Sequence, residues 1–363
     1  MYINNLKKSE EIEIALKLIK KIKEKATKIE EIRIMEVCGT HTKSIYDNGI
    51  DKLLPKNVKM IAGPGCPVCV TPQNYIDSAI ELSKKENIII TSFGDMIKIP
   101  GTKSSLREEK ARGRDIRIIY SPLDALKIAQ GNKTKEVVFL AVGFETTAPL
   151  IALALKEAKS NNINNFSILH SLKTMPNAME TLILDETIKI DGFICPGHVA
   201  TIIGSKVFEE LSKKYKLPML VCGFKAIDIL CGILSIIIMK EKGEYNFINF
   251  YKTFVKEFGN KKSKSLLEDV FINGDSIWRG LGNIKNTGYK LKEEYIFFDA
   301  NIRFALKDKN IISNKNCICG EILKGIKIPK DCTLFGKVCT PSNPIGPCMV
   351  SSEGTCGIVY ENL

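Results

Sequence analysis

The sequence has few aromatic residues, and this argues against a nucleic-acid partner. Aromatic residues make up 7% of the 363 residues, with a single tryptophan. The net charge is +12, but the basic residues stand among acidic ones, and no basic stretch is interleaved with aromatic side chains. Single-stranded nucleic acids bind by stacking on aromatic side chains above a basic surface. We therefore interpret the lysine excess as a solvated surface, which could also receive an acidic protein.

Long apolar runs are also missing. The most apolar stretch, residues 226–239, is shorter than the roughly 20 residues that a membrane-spanning helix needs, and it contains Asp228. Residues 1–28 alternate charges with Ile and Leu at helical spacing and lack a small-residue cleavage site, unlike a signal peptide. We expect a cytoplasmic protein without membrane contact. Because thiols stay reduced in that compartment, twelve cysteines indicate metal or redox chemistry rather than structural disulfides.

Short apolar runs alternate with helical patterns, which predicts parallel α/β sheets. The runs are residues 32–37, 58–62, 87–92 and 116–120, then 137–142, 166–169, 192–195 and 218–221. We predict two similar Rossmann-like α/β domains, at residues 31–128 and 129–240. A C-terminal cysteine-rich domain carrying an iron–sulfur cluster follows at 241–363. We expect the N-terminal helix, residues 1–30, to pack on that C-terminal domain.

Cys38 and His41 follow the first predicted strand, at an edge where α/β proteins bind ligands. A thiol at the start of a helix lies where the helix dipole and free N–H groups favour the thiolate, which is the form that binds metals. His41 lies three residues later, within reach for proton transfer. The alternative is a histidine that only makes a structural hydrogen bond.

Cys66-Pro-Val-Cys69 follows the second predicted strand. The pair could form a redox disulfide, contribute half of a zinc site, or bind iron together with Cys38. The third interpretation is physically easy because the loops after neighbouring strands can meet at one sheet edge. Glu145 and His198 occupy the corresponding loops in the second half of the chain.

Six cysteines crowd the last 47 residues, which we call the tail (residues 317–363), together with many glycines and prolines. They are Cys317, Cys319, Cys332, Cys339, Cys348 and Cys356. Such an irregular backbone buries little apolar surface and needs a staple, which a metal supplies. A [4Fe–4S] cluster uses four thiolates and leaves two, and a spare dithiol beside a cluster can relay electrons to a disulfide. Six cysteines without two Cys-X-X-Cys pairs fit a zinc site poorly.

At these residues the sequence resembles the HypD family of hydrogenase maturation proteins over nearly its whole length. The matching motifs are Cys38-Gly-Thr-His-Thr42, Gly63-Pro-Gly-Cys-Pro-Val-Cys69, Gly143-Phe-Glu-Thr-Thr-Ala-Pro149, Pro196-Gly-His198, Trp278-Arg-Gly-Leu-Gly282, Cys319-Gly-Glu-Ile-Leu-Lys-Gly325, Asp331-Cys-Thr-Leu-Phe335 and Pro344-Ile-Gly-Pro-Cys-Met-Val-Ser-Ser-Glu-Gly354. The resemblance implies a scaffold that assembles the Fe(CN)2CO unit of [NiFe]-hydrogenases. It implies the small chaperone HypC as partner, HypE as cyanide donor with HypF upstream, and an electron donor.

The resemblance also implies roles for particular residues. Iron of the nascent cofactor is expected on Cys38, Cys66 and Cys69. The tail resembles ferredoxin–thioredoxin reductase. That likeness assigns the cluster to Cys317, Cys332, Cys339 and Cys356, and a redox pair to Cys319 and Cys348. We hypothesise that Cys38 holds the iron while Cys66 and Cys69 alternate between ligand and disulfide, and that His41, Glu145 and His198 supply protons or hydrogen bonds.

Two other functions remain open from the sequence. One is a cluster-dependent disulfide reductase, which would use the same tail but would turn over a disulfide substrate. The other is a zinc-stabilised interaction protein, which would be colourless.

Overall fold

A computed structural model describes residues 8–306 and 316–363. The first seven residues of the predicted N-terminal helix lie outside the described residues. The eleven strands are β1 Ile32–Glu36, β2 Val58–Ala62, β3 Ile88–Ser92, β4 Ile116–Ile118, β5 Glu136–Gly143, β6 Phe166–Leu172, β7 Gly192–Ile194, β8 Met219–Val221, β9 Phe247–Asn249, β10 Phe271–Trp278 and β11 Gly282–Leu291. All eight predicted strands are confirmed, within a few residues at their ends.

Helices connect most of these strands. They are α1 Lys8–Ala26, α2 Gly39–Asp47, α3 Ile50–Leu53, α4 Gln73–Ser83, α5 Leu106–Ala111, α6 Pro122–Gly131, α7 Ala148–Ser160, α8 Met175–Leu184, α9 Gly197–Ile203, α10 Lys206–Tyr215, α11 Ala226–Lys242, α12 Lys261–Val270, α13 Ala300–Arg303, α14 Cys319–Leu323 and α15 Thr355–Glu361. Short 3₁₀ helices lie at Gly94–Lys98, Glu293–Phe298, Pro329–Asp331 and Pro347–Met349. Within the described residues, no helix combines the length and the apolar character needed to cross a bilayer.

Two parallel sheets form the centre of the molecule, in agreement with the predicted α/β class. The larger sheet has the order β2-β1-β7-β8-β9, and the smaller one the order β4-β3-β5-β6. Strands β10 and β11 form a separate antiparallel hairpin. Apolar side chains alternate between the two sides of each sheet, as the period of a strand requires, so every sheet has a core on both faces.

The pairing of strands differs from the predicted division of the chain. Strands β1 and β2 share a sheet with β7, β8 and β9 through the pairing of β1 with β7. Strands β3 and β4 share the other sheet with β5 and β6 through the pairing of β3 with β5. Each sheet therefore takes strands from both sides of the predicted boundary at residue 129, and the two sheets do not correspond to residues 31–128 and 129–240. The reason is that the chain passes from the larger sheet to the smaller one after β2 and returns to the larger sheet at β7.

The N-terminal helix also packs elsewhere than expected. Helix α1 lies along α11 on the outer face of the larger sheet, where Ile22 is fully buried. Lys25 and Lys28 both form ion pairs with Glu241 at the end of α11. The apolar side of α1 thus covers an α/β sheet rather than the cysteine-rich tail.

The tail packs against the opposite face of the larger sheet. Gly325 lies against Met35 and Ile61, and the Arg33 guanidinium donates a hydrogen bond to the Gly325 carbonyl at 3.0 Å. Helix α15 contacts α2, the helix that begins after Cys38. The tail therefore borders the loops that follow β1 and β2.

Candidate functional site

Cys38 lies at the start of α2, between the buried carboxyl group of Glu36 and the half-buried one of Glu353. Its backbone N–H donates to Glu36 Oε2 at 3.0 Å, and Thr42 donates to the other oxygen of the same carboxylate. Glu353 of the tail accepts a hydrogen bond from Thr40 at 3.1 Å and packs against Gly39. The sequence thus folds two acidic side chains around the first turn of α2.

Burial decides the protonation of Cys38. Burial, together with the charges of Glu353 and Glu36, raises the pKa of the thiol to about 12, although N–H groups of the first helical turn act in the opposite direction. Burial also raises the pKa of Glu36 to about 8 and that of Glu353 above its ordinary value. Without a bound cation Cys38 is therefore a thiol. The predicted preference of the helix start for the thiolate is outweighed by burial and by the two carboxyl groups.

The loop with Cys66 and Cys69 lies directly against Cys38, as expected for neighbouring parallel strands. Gly39 donates to the Gly65 carbonyl at 3.3 Å. A side chain at position 65 would overlap with the backbone of Cys38, so this close approach requires glycine. Cys66 and Cys69 are joined by a disulfide and are both buried.

His198 belongs to the same site. Its Nδ1 lies 3.9 Å from the Cys38 Sγ, and its ring stacks on Phe224 with 4.2 Å between centroids. The residue is exposed, but partial desolvation of the ring lowers its pKa. His198 comes close because β7, which precedes it, pairs directly with β1, which precedes Cys38.

His41 lies behind this group rather than facing Cys38. Its ring packs against that of Phe224 at a tilt, with 4.6 Å between centroids, and donates from Nε2 to the Gly223 carbonyl at 3.1 Å. Nδ1 is buried and has no hydrogen-bond partner among the described residues. Burial lowers the pKa of His41 to about 4, so the ring is neutral at pH 7. These contacts match the structural alternative considered for this residue.

Glu145 lies just after the carboxyl end of β5, in the smaller sheet. Its Oε1 accepts a hydrogen bond from the N–H of Met175 at the start of α8, at 2.8 Å, and Oε2 is buried without a partner. Burial raises the pKa of this carboxyl to about 7. The neighbouring Phe144 stacks on Trp278 and shares an apolar core with Cys66 and Cys69. Glu145 is therefore a buried proton-holding group adjoining the disulfide's core, not a contact of Cys38.

All six tail cysteines line one cavity, although they are spread over 40 residues of sequence. Its other walls are apolar. The lining residues are Cys317, Cys319, Ile322, Cys332, Leu334, Phe335, Cys339, Ile345, Gly346, Cys348, Met349 and Cys356. Short helices and turns hold this segment together, and a donor set composed of thiols suits iron or zinc.

The tail thiols interact in two overlapping groups. Burial raises the pKa of Cys356, and the charges of Cys317, Cys339, Cys319 and Cys332 raise it further. Cys319 shares side-chain hydrogen bonds with Cys317 and with Cys348. Cys348 therefore approaches Cys319, at one side of the group around Cys356.

Comparison with known proteins gives matches along the whole chain. The HypD family model, described as "Hydrogenase formation hypA family", matches residues 13–362. A protein of Methanocaldococcus jannaschii, provisionally named hydrogenase expression/formation protein, is 45% identical over 345 residues, covering 95% of this chain and 96% of its own. The hydrogenase maturation factor HypD2 of Bradyrhizobium diazoefficiens is 42% identical, covering 95% and 93%. HypD of Escherichia coli is 40% identical, covering 96% and 95%.

This chain belongs to the HypD family. Membership confirms the family that the sequence motifs indicated, and with it a role in hydrogenase maturation. In this HypD-family chain the structure brings Cys38, the Cys66–Cys69 pair and His198 together, and it gathers the six tail cysteines around one cavity.

Three residues of the Cys38 site were missed by sequence reasoning. Glu36 ends strand β1, two residues before Cys38, and a carboxylate at that position was a usable signal. Glu353 and Phe224 gave no such signal, because each reaches the site only through the packing of distant segments.

Proposed function

We propose that this chain is the scaffold on which the Fe(CN)2CO unit of a [NiFe]-hydrogenase is assembled. In this proposal HypC is the partner chaperone, HypE supplies cyanide with HypF upstream, and an electron donor renews the thiols. The observation that carries the proposal is the placement of two sulfur sites on one face of the larger sheet. The Cys66–Cys69 disulfide and the tail thiols Cys319 and Cys348 belong to the same apolar core.

Cys38 is the residue that would hold the iron while its cyanide and carbon monoxide ligands are added. This iron is the cargo of the reaction. Iron(II) would displace the thiol proton, because cations bind cysteine as thiolate. Glu36 and Glu353 flank that position and can accept a proton or balance the charge of the cation. His198, 3.9 Å from the sulfur, can donate a hydrogen bond to a ligand on the iron.

Cys66 and Cys69 would bind the cargo only when reduced. As the disulfide they have no thiolate to offer, so breaking the S–S bond converts this loop into a pair of ligands beside Cys38. Both sulfurs are buried, with 3% and 0% of the residues exposed. Burial shields them from a protein disulfide reductant in solvent, so we assign their reduction to an internal source of electrons.

We assign this internal source of electrons to the tail. The donor set of six thiols in an apolar cavity suits a [4Fe–4S] cluster, with Cys317, Cys332, Cys339 and Cys356 as the residues that would hold it. Such a cluster supplies one-electron transfer when bound. Cys319 and Cys348 are the residues that would form the redox pair, and the hydrogen bond between them supports this assignment.

A single zinc ion is the less suitable occupant. A tetrahedral zinc site uses four ligands, whereas six thiols line this cavity. A [4Fe–4S] cluster beside a dithiol would use all six.

Infrared spectroscopy tests the proposal. Protein produced anaerobically together with HypC is expected to show nitrile and carbonyl stretching bands, and Cys38→Ala protein is expected to lack them. Cys231→Ala, which alters a half-buried thiol of α11, is the matched control and should keep the bands. Bands of equal intensity in Cys38→Ala protein would contradict the proposal.

A further inference from the structure

The hairpin turn at residues 278–282 lies between the two sulfur sites. On one side, the Arg279 N–H donates to the Val70 carbonyl at 2.8 Å, one residue after Cys69. The Arg279 side chain continues the contact, donating from Nε to the Thr71 carbonyl at 2.8 Å and from Nη2 to Gln73 Oε1 at 3.1 Å. Three hydrogen bonds from one residue thus fix the segment that leaves the disulfide.

On its other side the same turn touches the tail. The Cα atoms of Gly280 and Gly320 are packed so closely that a side chain at position 280 would overlap with the backbone of Gly320. Gly320 follows Cys319 in the first turn of α14. The backbone at Gly280 has a φ of +81°, which glycine adopts without cost. This turn is a two-sided contact, with the disulfide loop on one side and Cys319 on the other.

The hairpin itself is well anchored. Trp278 is buried, stacks on Phe144, and donates from Nε1 to Thr287 Oγ1 at 2.9 Å. Lys173 reaches in to donate to the Ser276 hydroxyl and the Ile277 carbonyl. An anchored turn can hold the disulfide loop and the start of α14 at a set separation, whereas a flexible loop cannot.

We propose that this turn is the positioning element that sets the approach between the Cys66–Cys69 disulfide and the Cys319–Cys348 dithiol. The inference rests on the proposed function, since it takes the tail dithiol as the reductant. In the step, the Cys66–Cys69 S–S bond accepts two electrons and two protons and becomes two thiols. The Cys319 and Cys348 thiols lose the same two electrons and two protons and form an S–S bond. Exchange passes through a mixed disulfide, so its rate depends on how closely the two loops approach.

Two glycines of the turn provide a matched pair of variants. Gly280 and Gly282 both have a φ of +81°, but no atom lies within 4 Å of the place where a side chain at Gly282 would begin. Gly280→Ala and Gly282→Ala therefore carry the same backbone strain, and only the first pushes α14 away from the turn. A displacement of about 1 Å can slow a positioned reaction up to about 100-fold.

The test follows the redox state of individual cysteines in full-length, anaerobically purified protein. After photoreduction with a deazaflavin, samples are quenched in acid, alkylated and digested. Mass spectrometry of the peptide with Cys66 and Cys69 gives the rate of disulfide reduction. We expect this rate to be at least tenfold lower in Gly280→Ala than in Gly282→Ala protein. Equal rates in the two variants would overturn the inference.

Two further comparisons keep the result interpretable. Arg279→Gln loses the side-chain hydrogen bonds to the Thr71 carbonyl and Gln73 but keeps the backbone N–H, so it tests the other side of the turn if Gly280→Ala fails to fold. Arg279→Lys, which keeps the charge, is expected to restore part of the rate.

A Cys319→Ala/Cys348→Ala double variant tests the electron source itself. If it reduces the disulfide as fast as the unaltered protein, the proposed function fails, whereas a slow double variant with a normal Arg279→Gln protein overturns only the role of the turn.

Discussion

The surroundings of Cys38 keep this buried thiol protonated. Burial and two neighbouring carboxyl groups raise its pKa to about 12, so at neutral pH almost none of it is the reactive thiolate. A cation at this position would reverse the balance, because the same two carboxyl groups that oppose a lone thiolate would favour a positive ion. The site is thus better suited to hold iron than to attack a substrate as a free nucleophile.

The division of the tail cysteines gives a prediction for single residues. Cys348→Ser protein is expected to keep about four irons and their acid-labile sulfide, because the proposal pairs Cys348 with Cys319 rather than with the cluster. Cys332→Ser protein is expected to lose most of both. Iron and sulfide analysis of anaerobic preparations decides between them. Loss of the cluster from Cys348→Ser, with retention in Cys332→Ser, would reverse the assignment.

Glu145 gives a prediction for pH dependence. Burial raises its pKa from 4.5 to about 7, so the unfolded chain releases this proton at a lower pH than the folded one. The free energy of unfolding should therefore fall by up to about 3 kcal/mol as the pH rises from about 4.5 to about 7, and then level off. Urea unfolding across this range should show a smaller fall in Glu145→Gln protein.

The control for this measurement is Glu157→Gln, which removes an exposed carboxyl from α7. It is expected to follow the pH profile of the unaltered protein. If Glu145→Gln does the same, the buried carboxyl does not carry the proton that we assign to it.

At the scale of helices and strands, the sequence predicted where the strands lie better than it predicted which strands pair with each other. The eight parallel strands were recognisable because apolar runs end in glycine or proline turns and lead into helices. Strand β9 was missed because its three residues, Phe247–Asn249, are only half-buried and follow a short, mostly polar turn at residues 243–246. The hairpin of β10 and β11 was missed because polar side chains and glycines dominate it.

Sheet order could not be predicted, because pairing between distant strands leaves no local pattern. Met35 of β1 pairs with Phe193 of β7, more than 150 residues away. This pairing places His198 beside Cys38, although the predicted domains separated them. The contact between the loops of Cys38 and Cys66 was predictable, since β1 and β2 are consecutive. The proximity of Glu353 depended on how the tail packs, which the cysteine spacing did not reveal.

Helix α1 offers a test of the packing that the sequence did not predict. Ile22 is fully buried against the face that includes α11, whereas Ile12 of the same helix is 53% exposed. Ile22→Ala is expected to lower the free energy of unfolding by about 2–5 kcal/mol. Ile12→Ala should change it by less than about 0.5 kcal/mol. Equal effects in chemical denaturation would show that α1 does not pack as described.

In the whole molecule, the two faces of the larger sheet are covered by different segments of the chain. Helices α1 and α11 cover one face of the larger sheet, and the cysteine-rich tail covers the other. The chain leaves this sheet, builds the second, and returns, which ties both sheets to the hairpin and the tail. In consequence the loops of Cys38 and of Cys66–Cys69 meet the tail at one edge, as an internal transfer of electrons requires.

Mössbauer spectroscopy of ⁵⁷Fe-labelled protein, produced anaerobically together with HypC, tests the central claim most directly. The account predicts two iron populations, a [4Fe–4S] cluster and a low-spin iron(II) species, in a ratio of about four to one. In Cys38→Ala protein only the low-spin component should disappear. A spectrum with no cluster iron, or a low-spin component that persists without Cys38, would contradict the claim that the two sulfur sites bind iron for different purposes.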